Sequence, residues 1–165
     1  MVMAIIILPF SASAAASGID WELDADGKLI ISTNAGMEDW ARDGMDTNKD
    51  EVKSVEISDG VTIISEKAFY YCGILESITI PSSVTSIGSG AFTYCTNLKT
   101  VTINDVSTLT SIGDHAFALC QSLSSFTIPA SVTIIDNSAF AYCSSLTSIT
   151  IPSSVTSIGN SAFAS

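Results

Sequence analysis

From Val52 onward the chain repeats itself, and this repetition constrains the fold more than any other feature. The four cysteines fall at positions 72, 95, 120 and 143, at intervals of 23, 25 and 23 residues. Phe69, Phe92, Phe117, Phe140 and Phe163 keep the same rhythm, as do Ile57, Ile80, Ile103, Ile128 and Ile151. The third unit is longer because NDVSTLTS, between Ile103 and Ile112, replaces the shorter PSSVTS of its neighbours. Units therefore run 52–74, 75–97, 98–122, 123–145 and an incomplete 146–165: four full and one broken. A fixed period in the low twenties with apolar ladders marks a solenoid, in which each unit buries its apolar face only against its neighbours.

Within a unit, Leu75-Glu76-Ser77-Ile78-Thr79-Ile80 has period two, so Ile78 and Ile80 face one side and Ser77 and Thr79 the other. The apolar side packs on Val84, Ile87, Ala91, Phe92 and Cys95 of the same coil. Pro81 then ends the strand, because it cannot donate the next ladder hydrogen bond. Stacked units pair in parallel about 4.8 Å apart. A ladder is expected through residues near 55–57, 78–80, 101–103, 126–128 and 149–151. Outward, Ser54, Ser77, Thr100, Ser125 and Ser148 form one column, and Glu56, Thr79, Thr102, Thr127 and Thr150 the next.

The repeat consensus, LxxITIPxSVTSIGxxAFxxCxx, closely resembles the BspA-type leucine-rich repeat family of secreted and surface proteins. The resemblance covers residues 52–165. It implies a β-rich leucine-rich-repeat solenoid, a right-handed superhelix with its parallel β-sheet on the concave face, behind an N-terminal β-hairpin cap. In such solenoids the concave sheet is the usual binding surface, which singles out Ser77, Thr79, Thr100, Thr102, Ser125, Thr127, Ser148 and Thr150. Members of the family are associated with adhesion to host matrix proteins and to other cells. The chain departs from the broader leucine-rich pattern where many repeats carry a buried Asn: Ser58, Pro81, Asn104, Pro129 and Pro152 stand there instead.

Residues 17–51 read as the cap. IDWELDADGKLIIS alternates up to Leu23, turns through Asp24-Ala25-Asp26-Gly27, and resumes with Leu29, Ile30 and Ile31. Asp and Gly in this order favour a hairpin turn, since Gly tolerates positive φ. A helical turn at Gly36–Ala41 would tuck Trp40 against the hairpin, and Asp43–Glu51 reads as a polar loop. Asp46, Asn48 and Asp50 mimic the first ligands of a calcium loop. Glu51 and Ile57 occupy the positions that need Gly and a bidentate Glu, so a solvated acidic face is the better reading.

Residues 1–16 read as a signal peptide. Val2–Phe10 is apolar but too short to span a bilayer, which takes about 20 residues. Ala12-Ser13-Ala14 and Ala14-Ala15-Ala16 match the small-x-small pattern of a cleavage site. A buried N-terminal strand is the alternative. No Lys or Arg precedes the apolar run, so the true start is expected upstream. The chain stops between the Phe and Cys positions of a unit, so a C-terminal cap and any surface attachment are expected downstream.

The acidic balance narrows the partners. Seventeen Asp and Glu against six Lys and Arg give a net charge of -11. With nothing to neutralise phosphates, nucleic acid and anionic membrane surfaces are poor partners. One His and no clustered ligands argue against a cofactor or metal. His115 aligns with Lys67, Gly90, Ser138 and Ser161, a tolerant column on an exposed corner, whereas a catalytic base needs its orientation fixed by a buried partner. Cys72, Cys95, Cys120 and Cys143 all occupy the same inward position and read as buried free thiols, with disulfides as the alternative in an exported chain. Tyr71, Tyr94 and Tyr142, with Leu119, form a second stripe, either a half-buried aromatic ladder or a contact patch.

The leading expectation is a monomeric, non-enzymatic, adhesin-like binding module, secreted or held at the cell surface through a region beyond residue 165. It would recognise a protein or cell-surface ligand through the Ser/Thr sheet, without membrane insertion once the leader is removed. The alternative is a spacer segment of a larger exported protein whose active domain lies downstream.

Overall fold

The computed structural model describes residues 16–18, 20–44, 48–103 and 107–165. The leader, Ala16 apart, lies outside them, as do Asp46 of the acidic loop and Asn104 of the long third unit. The remainder is a parallel β-solenoid of about five turns. Each coil contributes to three faces: a first sheet, a second sheet and a turn face.

The first sheet holds β1 (Ala16–Gly18), β2 (Trp21–Leu23), β3 (Lys28–Ile31), β4 (Ser54–Ile57), β6 (Ser77–Ile80) and β8 (Thr100–Ile103), hydrogen-bonded in that order. β1, β2 and β3 are antiparallel, and from β3 onward the pairing is parallel, with Lys28 against Ser54 and Ile31 against Ile57. The hairpin is thus the first rung of the solenoid. Its turn closes where expected: the Asp24 carboxylate accepts the N–H groups of Asp26 and Lys28, each at 2.9 Å, and Gly27 takes φ +83°.

Ile78 and Ile80 are buried and Ser77 and Thr79 exposed, so the register is the expected one. Regular pairing, however, covers only the first three of the five expected rungs. Beyond β8 the ladder reduces to one bridge between Thr127 and Thr150. The change coincides with Phe126, which stands where Val55, Ile78 and Val101 stand in earlier coils. Its ring packs between Phe117 (5.1 Å) and Phe140 (4.8 Å) and is much larger than the branched aliphatics of the earlier coils.

A second sheet stacks β5 (Ile63–Ile64), β7 (Ser86–Ile87), β9 (Ser111–Ile112), β10 (Ile134–Ile135) and β11 (Ser157–Ile158), all parallel. Beside it runs a threonine ladder. Thr85, Thr110, Thr133 and Thr156 each donate both backbone N–H and Oγ1 to the carbonyl of the preceding Thr, with hydroxyl distances of 3.0, 3.0, 3.2 and 3.2 Å.

The turn face is built differently. Lys67, Phe69 and Tyr71 donate their N–H groups to the carbonyls of Ser89, Ala91 and Thr93 in the next coil, and later coils repeat this. Two residues per coil take left-handed backbone, including Lys67, His115 and Ser138 in one column and Tyr71, Tyr94, Leu119 and Tyr142 in the other. Non-glycine residues reach this region at a cost of about 1 kcal/mol or more. The inter-coil bonds on both sides hold them there.

Inside, the Phe column stacks nearly parallel, with centroids 5.0, 5.0, 5.3 and 5.5 Å apart from Phe69 to Phe163. The cap closes the stack against all three faces. β3 pairs with the first sheet. α1 (Asn34–Asp39), capped by the Thr33 hydroxyl and starting two residues earlier than expected, sets Asn34 at the second. There the Asn34 carboxamide accepts the Thr62 N–H and donates to the Thr62 hydroxyl, both at 2.8 Å, imitating a preceding coil. The π-helical turn Trp40–Gly44 follows, and buried Trp40 packs edge-on against Trp21 at 5.1 Å while its Nε1 donates to the Ala68 carbonyl at 2.6 Å.

Candidate functional site

All eight residues singled out on the first sheet, Ser77, Thr79, Thr100, Thr102, Ser125, Thr127, Ser148 and Thr150, are exposed. The structure pairs Ser77 with Thr100 and Thr79 with Thr102 in neighbouring strands, and Thr127 with Thr150 across the isolated bridge. Ser77, Thr79, Thr100 and Thr102 lie within paired strands, so their side chains stand perpendicular to the sheet, whereas Ser125 and Ser148 flank the isolated bridge outside any regular strand. No hydroxyl of the eight bonds to another described residue, so each keeps a donor and two acceptor lone pairs for a ligand. The surface is almost uncharged. Ion pairs border it: Lys28 Nζ meets Glu56 Oε2 at 2.6 Å, where Glu56 raises the lysine pKa, and Lys99 Nζ meets Glu76 Oε2 at 3.0 Å next to Thr100 and Ser77. Such an array can hydrogen-bond and pack methyl groups but offers neither nucleophile activation nor metal ligation.

The other candidates resolve as follows. Cys72, Cys95, Cys120 and Cys143 are buried and unbridged. The last three donate Sγ–H to the carbonyls of Phe69, Phe92 and Phe117 in the preceding coil at 3.0–3.2 Å. Burial pushes Cys72 up to about 12 and Cys143 up to about 11, and raises Cys95 and Cys120 well above the ordinary value. Such thiols are protonated and inert at neutral pH. His115 is exposed on a left-handed corner with Nδ1 3.0 Å from Asp114 Oδ1. Among the described residues, no group of three or more His, Cys, Asp or Glu is placed to hold a metal.

The tyrosine stripe forms on the turn face. Tyr71 and Tyr94 stack at 4.3 Å, and Tyr71 and Tyr142 are 42% and 57% exposed. Beside the stripe, a groove of about 410 Å³ crosses four coils, which sequence periodicity did not single out. Its signal is the fall in size along one column, from Tyr70 through Thr93 to Ala118 and Ala141, beside the stripe.

Comparison with known proteins fits this geometry. The T. pallidum leucine-rich repeat protein is 31% identical, with a TM-score of 0.66 over 87% of this chain and 63% of its own. A leucine-rich repeat protein from Bacteroides capillosus is 30% identical, with a TM-score of 0.52 over 78% of this chain and 90% of its own. A leucine-rich cell surface protein from Faecalibacterium prausnitzii is 26% identical, with a TM-score of 0.50 over 93% of this chain and 52% of its own. The chain thus spans less than two thirds of the T. pallidum and F. prausnitzii proteins. Curated proteins give no match. The model of the BspA type leucine rich repeat region matches residues 47–165 in six copies, beginning just ahead of Val52. With the repeat, the buried Phe and Cys columns and the parallel sheet all in place, the chain belongs to the BspA-type leucine-rich repeat family.

Proposed function

We propose that this chain is a non-enzymatic, adhesin-like binding module, secreted or displayed at a cell surface, which recognises protein or cell-surface partners through the Ser/Thr columns of its first sheet. The observation that carries this reading is the freedom of those hydroxyls: eight exposed side chains in two regular columns, none bonded within the described structure. Weak contacts summed over such an array give avidity without any deep pocket. The cell-surface description of the F. prausnitzii relative supports the location. Among the described residues no helix is long and apolar enough to cross a membrane.

The test is surface plasmon resonance against a panel of extracellular-matrix glycoproteins, with circular dichroism as fold control. Thr79→Lys/Thr102→Lys/Thr127→Lys is expected to abolish binding while costing less than about 0.5 kcal/mol per exposed site. A folded triple variant that binds like the parent removes the sheet as the contact surface. A parent that binds nothing in the panel favours a spacer role.

A further inference from the structure

We propose that the groove on the turn face is a second binding site, distinct from the hydroxyl sheet, for a proline-rich peptide in polyproline II conformation flanked by Lys or Arg. One margin is formed by Tyr94, Leu119 and Tyr142, the other by Lys67, His115 and Ser138, with Ala118 and Ala141 on the floor. Left-handed backbone in both margin columns carries their side chains clear of the coil. Tyr94 is held in place by the face of Tyr71 at 4.3 Å and the edge of Tyr70 at 6.4 Å. At the other end Tyr142 is 57% exposed.

Three features select the occupant. Beyond the adjacent Tyr71–Tyr94 stack, the two rings of the margin, Tyr94 and Tyr142, stand two coils apart with the smaller Leu119 between, a separation of ~9.6 Å at a coil spacing of about 4.8 Å. A polyproline II helix turns once in three residues of about 3.1 Å, or ~9.3 Å, and presents the same face to both rings. A β-strand repeats its side-chain face every ~6.8 Å and loses that register.

The backbone on this face is also already committed. Tyr71 and Tyr94 donate their N–H groups to Thr93 and Ala118 of the next coil, so no edge is open to an added strand. A polyproline helix asks for no such ladder, and aromatic-lined grooves are its usual receptors.

Charge decides the flanks. Glu66 and Asp114 stand beside Lys67 and His115, with side chains 66% and 45% exposed, on a chain of net charge -11. Lys67, the one permanent cation among the margin residues, is already paired with Glu66 at 3.4 Å. An acidic peptide therefore finds no unpaired cation there, whereas a basic flank is drawn by Asp114 and by the net charge of -11.

Fluorescence anisotropy of the full chain tests the proposal, with a fluorescein-labelled Pro-Pro-Arg repeat peptide and a Gly-Ser-Arg peptide of equal length and charge. Saturable binding of the first, clearly tighter than the second, is expected. Tyr142→Ala, at an exposed position, should weaken it about tenfold or more, as loss of an aromatic anchor does. Tyr142→Phe should bind like the parent. Thr79→Val/Thr102→Val/Thr127→Val should leave it unchanged, which separates this site from the hydroxyl sheet. Equal binding of both peptides, no binding, or a folded Tyr142→Ala variant that binds like the parent overturns the proposal. Saturable binding of chitohexaose that Tyr142→Ala abolishes, with the proline peptide silent, would make the groove a sugar site and overturn it equally.

Discussion

Thr79, Thr102, Thr127 and Thr150 on the first sheet recur with the same period as Thr85, Thr110, Thr133 and Thr156 beside the second, yet the two sets have opposite duties. The second set spends every hydroxyl on the carbonyl of the preceding coil. The first spends none on the described structure. Backbone position decides the difference. A Thr inside a strand has its neighbours' carbonyls turned into the ladder plane and its own side chain perpendicular to it. A Thr just before a two-residue strand faces a carbonyl that its own N–H already uses, close enough for Oγ1 to share. Structure is therefore concentrated on one hydroxyl face, which leaves the other available for recognition.

The core beneath both faces gives the largest expected effect. Phe92 is fully buried between Phe69 and Phe117, each 5.0 Å away. Phe92→Ala should lower stability by about 3–5 kcal/mol through the cavity it leaves, measured by urea unfolding. A loss under about 1 kcal/mol would mean that the stack collapses onto the gap and that the faces do not share a rigid core.

The ladder's anchor comes next. Asn34→Ala removes two hydrogen bonds and leaves the part-buried Thr62 N–H unpaired, so a loss of about 1–3 kcal/mol is expected. Amide hydrogen exchange should locate the loosening at Thr62 and Thr85. Uniform exchange across both sheets would show that the cap does not hold the second face selectively.

The thiols give a pH signature common to both faces. Their folded pKa values lie above the ordinary value of 9.0, with Cys72 near 12 and Cys143 near 11. Their contribution to stability is therefore complete below pH 9.0 and lost as pH rises toward those folded values. The urea midpoint should fall as pH rises from 9.0 toward about 10.5, and Cys72→Ala/Cys95→Ala/Cys120→Ala/Cys143→Ala should flatten that fall. Alkylation of the native protein at pH 8 should be negligible until denaturant is added. Rapid native alkylation would contradict the burial.

Much of this architecture can be read from spacing. The inward Ile, Phe and Cys columns follow from a period too regular for anything but a stack, and the eight outward hydroxyls follow from alternation in ITI and TVTI. The second sheet is not legible in the same way, because two-residue strands such as Ser86–Ile87 are too short to show an alternation. Nor do the left-handed residues announce themselves: Lys67, Tyr71 and Leu119 are types that seldom adopt positive φ, and inter-coil hydrogen bonds place them there. The loosened ladder after β8 coincides with Phe126, which a pattern of apolar positions counts as equivalent to Ile78. Asn34 is the clearest omission, since an amide that imitates a coil depends on three-dimensional placement alone.

The division between the two hydroxyl faces is tested most directly by matched isosteric variants in urea unfolding. Thr85→Val/Thr110→Val/Thr133→Val removes three inter-coil hydrogen bonds and should cost about 1.5 kcal/mol, taking the low end of ~0.5 each for exposed bonds. Thr79→Val/Thr102→Val/Thr127→Val removes no bond within the described structure and should stay within about 0.5 kcal/mol of the parent. Equal losses in the two triple variants, or a larger loss in the second, would contradict the division.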